Sequence, residues 1–185
     1  AMEVLGTTKI TIGDQEVDVK APWRRISIKE ALKESKDWDV DAMSDEDLFA
    51  EVDKLGETMN KRCRGEALLI LFEEYGEPLG FTPTHFIDYP KESSPFCKQH
   101  RQDEELIERC ESFIGGMEIA NMYSELNDPI RQRELLEEQE KFKKEGAEEI
   151  WGEVDEDFLD AMDYGLPPAG GIGIGVDRIV MVLLT

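Results

Sequence analysis

The chain has 185 residues, a length that suits one domain with a real core and is short for two. Its 43 acids against 21 Lys and Arg leave a formal charge of −22, so its general field repels phosphate polymers, and a nucleic-acid partner must be met locally or through a part outside this sequence. No run of about 18 apolar residues exists and the opening AMEVLGTTK lacks a leader pattern, so no membrane partner is expected and a cytoplasmic location is.

In chain order, Lys9 to Lys20 alternates apolar and polar residues around Gly13-Asp14, the pattern of a β-hairpin. Ser27 and Glu30 form a capping box for a short amphipathic helix, and Ser44 caps another carrying Leu48, Phe49, Val52 and Leu55 on one face. A third helix is predicted from about Gly56 to Tyr75, burying Met59, Cys63, Ala67, Leu68, Leu71 and Phe72 and stopping at Gly76. FTPTHFIDYP, from Phe81 to Pro90, is aromatic and β-branched and predicts a strand leading into an irregular stretch. Two apolar-polar runs between Cys110 and Leu126 flank Gly115-Gly116, a second hairpin. A charge-dense helix follows from Pro129 to about Lys144, and an acidic one from about Asp155 to Tyr164. Cys63, Cys97 and Cys110 match no zinc spacing, and their odd number argues against a disulfide framework, so reduced thiols are expected. Helices mixed with antiparallel hairpins predict an α+β domain on an antiparallel sheet flanked by helices.

The closing GGIGIGVDRIVMVLLT satisfies neither GxGxxG nor the phosphate-loop pattern. Glycines at 171, 173 and 175 leave one face of a strand bare, either for a flat ligand or for tight packing of strand on helix. Arg178 sets a planar cation beside that face, able to stack on a ring and to bind phosphate oxygens.

GGIGIGVDR resembles motif 3 of the class II aminoacyl-tRNA synthetases, with Asp177 where many members have Glu. More specifically, MEIANMYSELNDPIRQR (Met117 to Arg133), PTHFIDYPKESSP (Pro83 to Pro95) and YGLPPAGG (Tyr164 to Gly171) resemble the class II lysyl-tRNA synthetases. The similarity is evident from about Lys61 onward and weaker before. The related aspartyl and asparaginyl enzymes differ at IANMYSELND, and the lysyl-synthetase-like ligase that modifies an elongation factor differs around SELND. The resemblance implies lysine and ATP as substrates, Mg²⁺ as cofactor, and tRNA charging through the parent enzyme.

A two-residue turn at Gly115-Gly116 pairs Ile114 with Met117, Phe113 with Glu118 and Glu111 with Ala120, which makes Glu111 and Glu118 diagonal neighbours roughly 7 Å apart or less. Such a pair is either a solvated acidic face or the bridge for a divalent cation, and the resemblance implies metal glutamates at both positions. It also implies that Glu125 pairs with the lysine ε-ammonium, Tyr123 walls the aliphatic stem, Asn121 helps fix the α-carboxylate and Arg178 contacts ATP above Gly171, Gly173 and Gly175. Strict alternation points residues 121, 123 and 125 away from 118, so a single cavity requires a bulge near Ala120. His85 and His100 are expected to be structural or surface residues, because adenylate formation needs no side-chain nucleophile.

Motif 1, motif 2 and the anticodon-binding barrel have no counterpart in the sequence, which ends inside the motif 3 helix. The expectation is a single truncated catalytic domain over residues 1–185, weak or inactive alone, forming a homodimer or joined by a complementing synthetase half. The alternatives are a non-catalytic remnant that binds ATP or a partner chain, and a lysyl-synthetase-like protein ligase.

Overall fold

In the computed structural model, which describes residues 1–144 and 154–184, a short helix α1 (Met2–Leu5) precedes the first hairpin, β1 (Lys9–Ile12) and β2 (Gln15–Asp18). Strand β3 (Arg24–Ser27) then leads directly into helix α2 (Ile28–Lys36), whose capping box is formed by Ser27 and Glu30. A second capping box, Ser44 with Asp47, starts α3 (Asp45–Leu55), and Gly56 ends it in a left-handed conformation with φ 78°.

The third predicted helix is shorter than expected. It is α4, Arg64–Tyr75, because Gly56 closes α3 and Cys63 is an extended N-cap with φ −138°. The Glu66 carboxylate accepts the backbone amides of Asn60 and Lys61 at 2.7 and 2.5 Å and so holds the loop that replaces the first two turns. Met59 and Cys63 are accordingly half-buried, not core.

A 3-10 turn at Glu77–Phe81 brings the chain to β4 (Thr84–Pro90). The second hairpin follows as β5 (Leu106–Ile114) and β6 (Met117–Ser124), turning at Gly115 and Gly116, both with positive φ (64° and 74°) as a tight two-residue turn requires. Helices α5 (Pro129–Lys144) and α6 (Glu156–Asp163) pack together through Leu136, Leu159 and Met162 and are tied by Arg133 to Glu156 at 2.8 and 2.6 Å. Strand β7 (Gly170–Ile174) and helix α7 (Val176–Leu184) complete the described chain, and Thr185, the last residue expected in that helix, lies outside the described residues.

The main sheet runs β3-β4-β5-β6-β7, antiparallel except between β3 and β4. That parallel edge was not expected, since no strand was predicted between the first hairpin and Ser27; Ile26 is buried and pairs with Phe86. Helices α2, α3 and α4 cover one face with Leu32, Leu48, Val52, Leu71 and Phe72, each about 2 kcal/mol of apolar burial. Phe72, Phe86, Phe113 and Tyr89 meet edge to face, with centroids 4.9 to 5.9 Å apart, and carry that core toward β5. Helix α7 and the first hairpin pack on the other face around Ile114, Ile119 and Val182. Among the described residues no helix is long and apolar enough to cross a membrane, and the three cysteines are free.

Candidate functional site

The expected site residues lie on the β5-β6-β7 side of the sheet, and a bulge decides which of them face each other. Phe113 pairs with Glu118, but Ser112 pairs with Ala120, leaving Ile119 as an extra residue. The Ile119 side chain enters the cluster of Ile10, Val17, Ile114 and Val182, while its carbonyl accepts the Gly175 amide at 2.9 Å. The expected pairing of Glu111 with Ala120 is therefore corrected: Glu111 stands opposite Asn121, and Arg109 opposite Tyr123. Since cross-strand partners share a face and the bulge shifts the alternation by one, Glu111, Glu118, Asn121 and Tyr123 all lie on the face that carries the core.

Strand β7 continues this face with bare backbone. Gly171 pairs with Tyr123 and Gly173 with Asn121. A Cβ on Gly171 would come within 2.2 Å of Glu125 Oε1, so this glycine makes room for the carboxylate. A Cβ on Gly173 would meet only the Asn121 carbonyl, at 3.8 Å; no internal contact requires a glycine there. Gly175 lies just past β7, and a Cβ on it would only touch the Arg178 side chain at 3.5 Å. Arg178 Nη1 donates to the Glu118 carbonyl at 2.6 Å and to Glu118 Oε2 at 3.2 Å, which holds the half-exposed guanidinium beside the glycines.

Glu111 is almost fully buried. Tyr89 Oη donates to its Oε2 at 2.7 Å and Arg109 Nη2 to its Oε1. Burial raises the Glu111 carboxyl above the usual carboxylate range, opposed by Arg109 and Tyr89. Tyr89 can reach it because Asp88 adopts a left-handed φ of 60° where the β4-β5 register shifts. Glu125, at the end of the face, forms a bridge with Cys97 and donates its backbone amide to the Ala169 carbonyl at 3.0 Å. Among the described residues its carboxylate has no hydrogen-bond or ion-pair partner. Burial, with Glu125 nearby, raises the Tyr123 phenol.

Three further residues belong to this face. Arg109 and Tyr89 orient Glu111, and Glu77, from the 3-10 turn, is raised to about 7 by burial and by repulsion from Glu73, Glu111 and Glu118. Alternation from Glu111 could have flagged Arg109; Glu77 is separated by 34 positions from Glu111 and carries no local signal. His85 is on the opposite face, stacked on Trp23 at 5.2 Å and bonded to Ser112 Oγ at 2.8 Å, and burial lowers it. His100 accepts the Gln102 amide at 3.3 Å. A cleft of about 500 Å³ lined by Arg25, Ile87, Cys110, Met122 and Ser124 also opens on that opposite face, sharing Tyr123 and Gly171 with the site.

A family profile described as tRNA synthetases class II (D, K and N) matches residues 2–185. The chain belongs to this family. The match takes in the first 60 residues as well, where the motif resemblance is weaker. Among the relatives of this class II synthetase chain are the lysine–tRNA ligases of Porphyromonas gingivalis (46% identical over 98% of the chain and 32% of the relative), Methanoculleus marisnigri (44%, 99% and 36%) and Saccharolobus solfataricus (44%, 98% and 37%). The chain thus spans about a third of the length of these relatives.

The synthetase family implies Mg²⁺, and the donor set on this face suits it. Two carboxylates, Glu111 and Glu118, share the face, and a hard cation that keeps substrate phosphates and waters needs no more than that from the protein. Among the described residues no group of three or more His, Cys, Asp or Glu forms a cage.

Proposed function

We propose that the chain is the lysine- and ATP-binding part of the catalytic domain of a cytoplasmic lysine–tRNA ligase. The observation that carries this reading is the Ile119 bulge, which sets Glu111, Glu118, Asn121 and Tyr123 on one face beside the bare strand β7. The names of the relatives support lysine as the substrate.

In this reading the free carboxylate of Glu125 receives the ε-ammonium, a charge-assisted bond that a neutral amino acid cannot make. Tyr123 lies along the methylenes. Asn121 Oδ1 is held by Arg109 at 3.3 Å, which leaves the amide NH₂ to donate to the α-carboxylate. Gly173 and Gly171 form a floor for the adenosine, and Arg178 at its edge binds the phosphates. Glu111 and Glu118 would hold Mg²⁺, which supplies charge neutralisation for the triphosphate. A lysine carboxylate oxygen attacks the α-phosphorus; the new P–O bond forms as the bond to the β-phosphate oxygen breaks, giving lysyl-adenylate and pyrophosphate without a proton transfer. The protein contributes orientation and electrostatics. Transfer of lysine to tRNA, and dimerisation or pairing with a complementing synthetase half, belong to the whole enzyme.

Lysine-dependent ATP–pyrophosphate exchange tests the assignment. The chain alone should exchange slowly, and Arg178→Ala should lower the rate a further roughly 10²-fold. Exchange that proceeds equally without lysine would sink it. ATP binding with no exchange under any condition would favour the non-catalytic remnant.

A further inference from the structure

Arg109 stands where the two halves of the face meet. It pairs with Tyr123 across β5 and β6, two positions from Glu111. Its side chain is only 16% exposed, and its planar head is engaged along every edge. Nε donates to Asn121 Oδ1 at 3.3 Å, Nη1 to the Ser93 carbonyl at 3.2 Å and Nη2 to Glu111 Oε1, while the guanidinium stacks 4.9 Å from the centroid of the Tyr89 ring. Tyr89 in turn bonds the other oxygen of Glu111.

We infer that Arg109 is a positioning residue that fixes the Asn121 amide toward the amino-acid carboxylate and the Glu111 carboxylate toward the metal through one rigid plane, coupling the two binding events. The inference rests on the lysine and Mg²⁺ reading above and deepens it. The chemistry is particular to a guanidinium. An arginine fork presents donors at fixed mutual angles, so a rotation that improves the bond to Asn121 also turns the one to Glu111. A lysine would keep the positive charge beside Glu111 but has a single ammonium at the end of a flexible stem. It cannot serve Asn121, Glu111 and the Ser93 carbonyl together. Without the bond from Arg109, the Asn121 amide is free to turn its oxygen toward the incoming carboxylate, which repels it. Arg109 also neutralises one carboxylate of an acid-rich site at a point where the ligand cannot displace it, since Tyr89 covers its face.

A double-mutant cycle on the 185-residue chain tests this, with lysine affinity measured by calorimetry and folding checked by circular dichroism. Arg109→Lys should weaken lysine roughly 10-fold, in line with other orienting partners of ligand-contacting groups. Asn121→Ala should weaken it as well, and Arg109→Lys added to Asn121→Ala should cost little more, because the amide that Arg109 orients is already gone. A purely structural arginine predicts losses that multiply, and that result overturns the inference, as does a lysine variant with unchanged affinity. Running the cycle with Arg109→Gln, which keeps a planar donor, carries the test if the lysine variant does not fold. An unsubstituted chain that binds no lysine would overturn the lysine reading itself; binding with multiplying losses would overturn only the role of Arg109.

Discussion

Gly171 and Gly173 occupy equivalent places on one strand, yet the chain needs them for different reasons. The first leaves room for the Glu125 carboxylate, 2.2 Å from where a Cβ would sit; the second leaves room for nothing that the protein itself contains. Gly171→Ala should therefore displace Glu125 and weaken lysine as well as an ATP analogue, whereas Gly173→Ala should melt like the parent and weaken only the ATP analogue, roughly 10-fold, by crowding the floor. Calorimetry with each ligand against each variant checks the split, and equal effects of the two substitutions on both ligands would contradict it. Glu77 makes a prediction about pH. The folded protein holds its proton up to about pH 7 against 4.5 for an ordinary glutamate, so folding takes up a proton between those values. The contribution is intact below pH 4.5 and is lost as pH rises through 7. Glu77→Gln should then stabilise the protein at pH 8 relative to pH 5 by about 1 kcal/mol, a figure already reduced for the solvent screening of a half-exposed group. Denaturant melts at the two pH values measure it. Alternation and motif reading reached Glu111, Glu118, Asn121, Tyr123 and Glu125, since each lies in one short hairpin. Glu77 and Tyr89 come from other elements and enter the site only through tertiary folding.

Local signals placed most elements because each is written in a few adjacent residues: the capping boxes at Ser27 and Ser44, and the turn at Gly115-Gly116. Signals that depend on packing were not legible. Apolar periodicity ran on from α3 through Met59 and Cys63, and only the left-handed Gly56 and the grip of Glu66 on the loop show that the helix starts at Arg64. Sequence alternation raised the need for a bulge near Ala120, but the position at Ile119 depends on a hydrophobic cluster fed by β1, β2 and α7. The turn that sets this register should be sensitive. Gly115→Ala forces a side chain onto a positive φ and puts its Cβ 2.9 Å from Ile12 Cδ1, whereas a Cβ at Gly116 meets nothing within 4 Å. Both should destabilise by about 1 kcal/mol from backbone strain, and Gly115→Ala by more. Thermal melts that rank the two in the opposite order would show that the Ile12 contact yields without cost.

Across the whole molecule, charge and exposed apolar surface pull in opposite directions. A net charge of −22 keeps copies apart. Yet among the described residues β7 is a sheet edge, and Ile172, Ile174, Val176 and Leu184 on β7 and α7 are 62, 52, 70 and 76% exposed. The chain should therefore associate as salt rises and screens the repulsion. Sedimentation velocity from low to high salt would show this, and Ile172→Lys should suppress it; a monomer at all salt concentrations would show that the edge is inert. Composition made the repulsion legible from the start. The exposed edge required the strand order, because nothing in GGIGI says that β7 has one neighbour and not two.

The central claim is that the bulged face selects lysine through Glu125. Its most direct test is calorimetric titration of the chain with a stable sulfamoyl analogue of lysyl-adenylate and with the corresponding norleucine compound, which lacks only the ammonium. The lysyl compound should bind at least roughly 10²-fold more tightly, and Glu125→Gln should erase the difference. Equal binding of the two compounds, or a preference that survives Glu125→Gln, would contradict it.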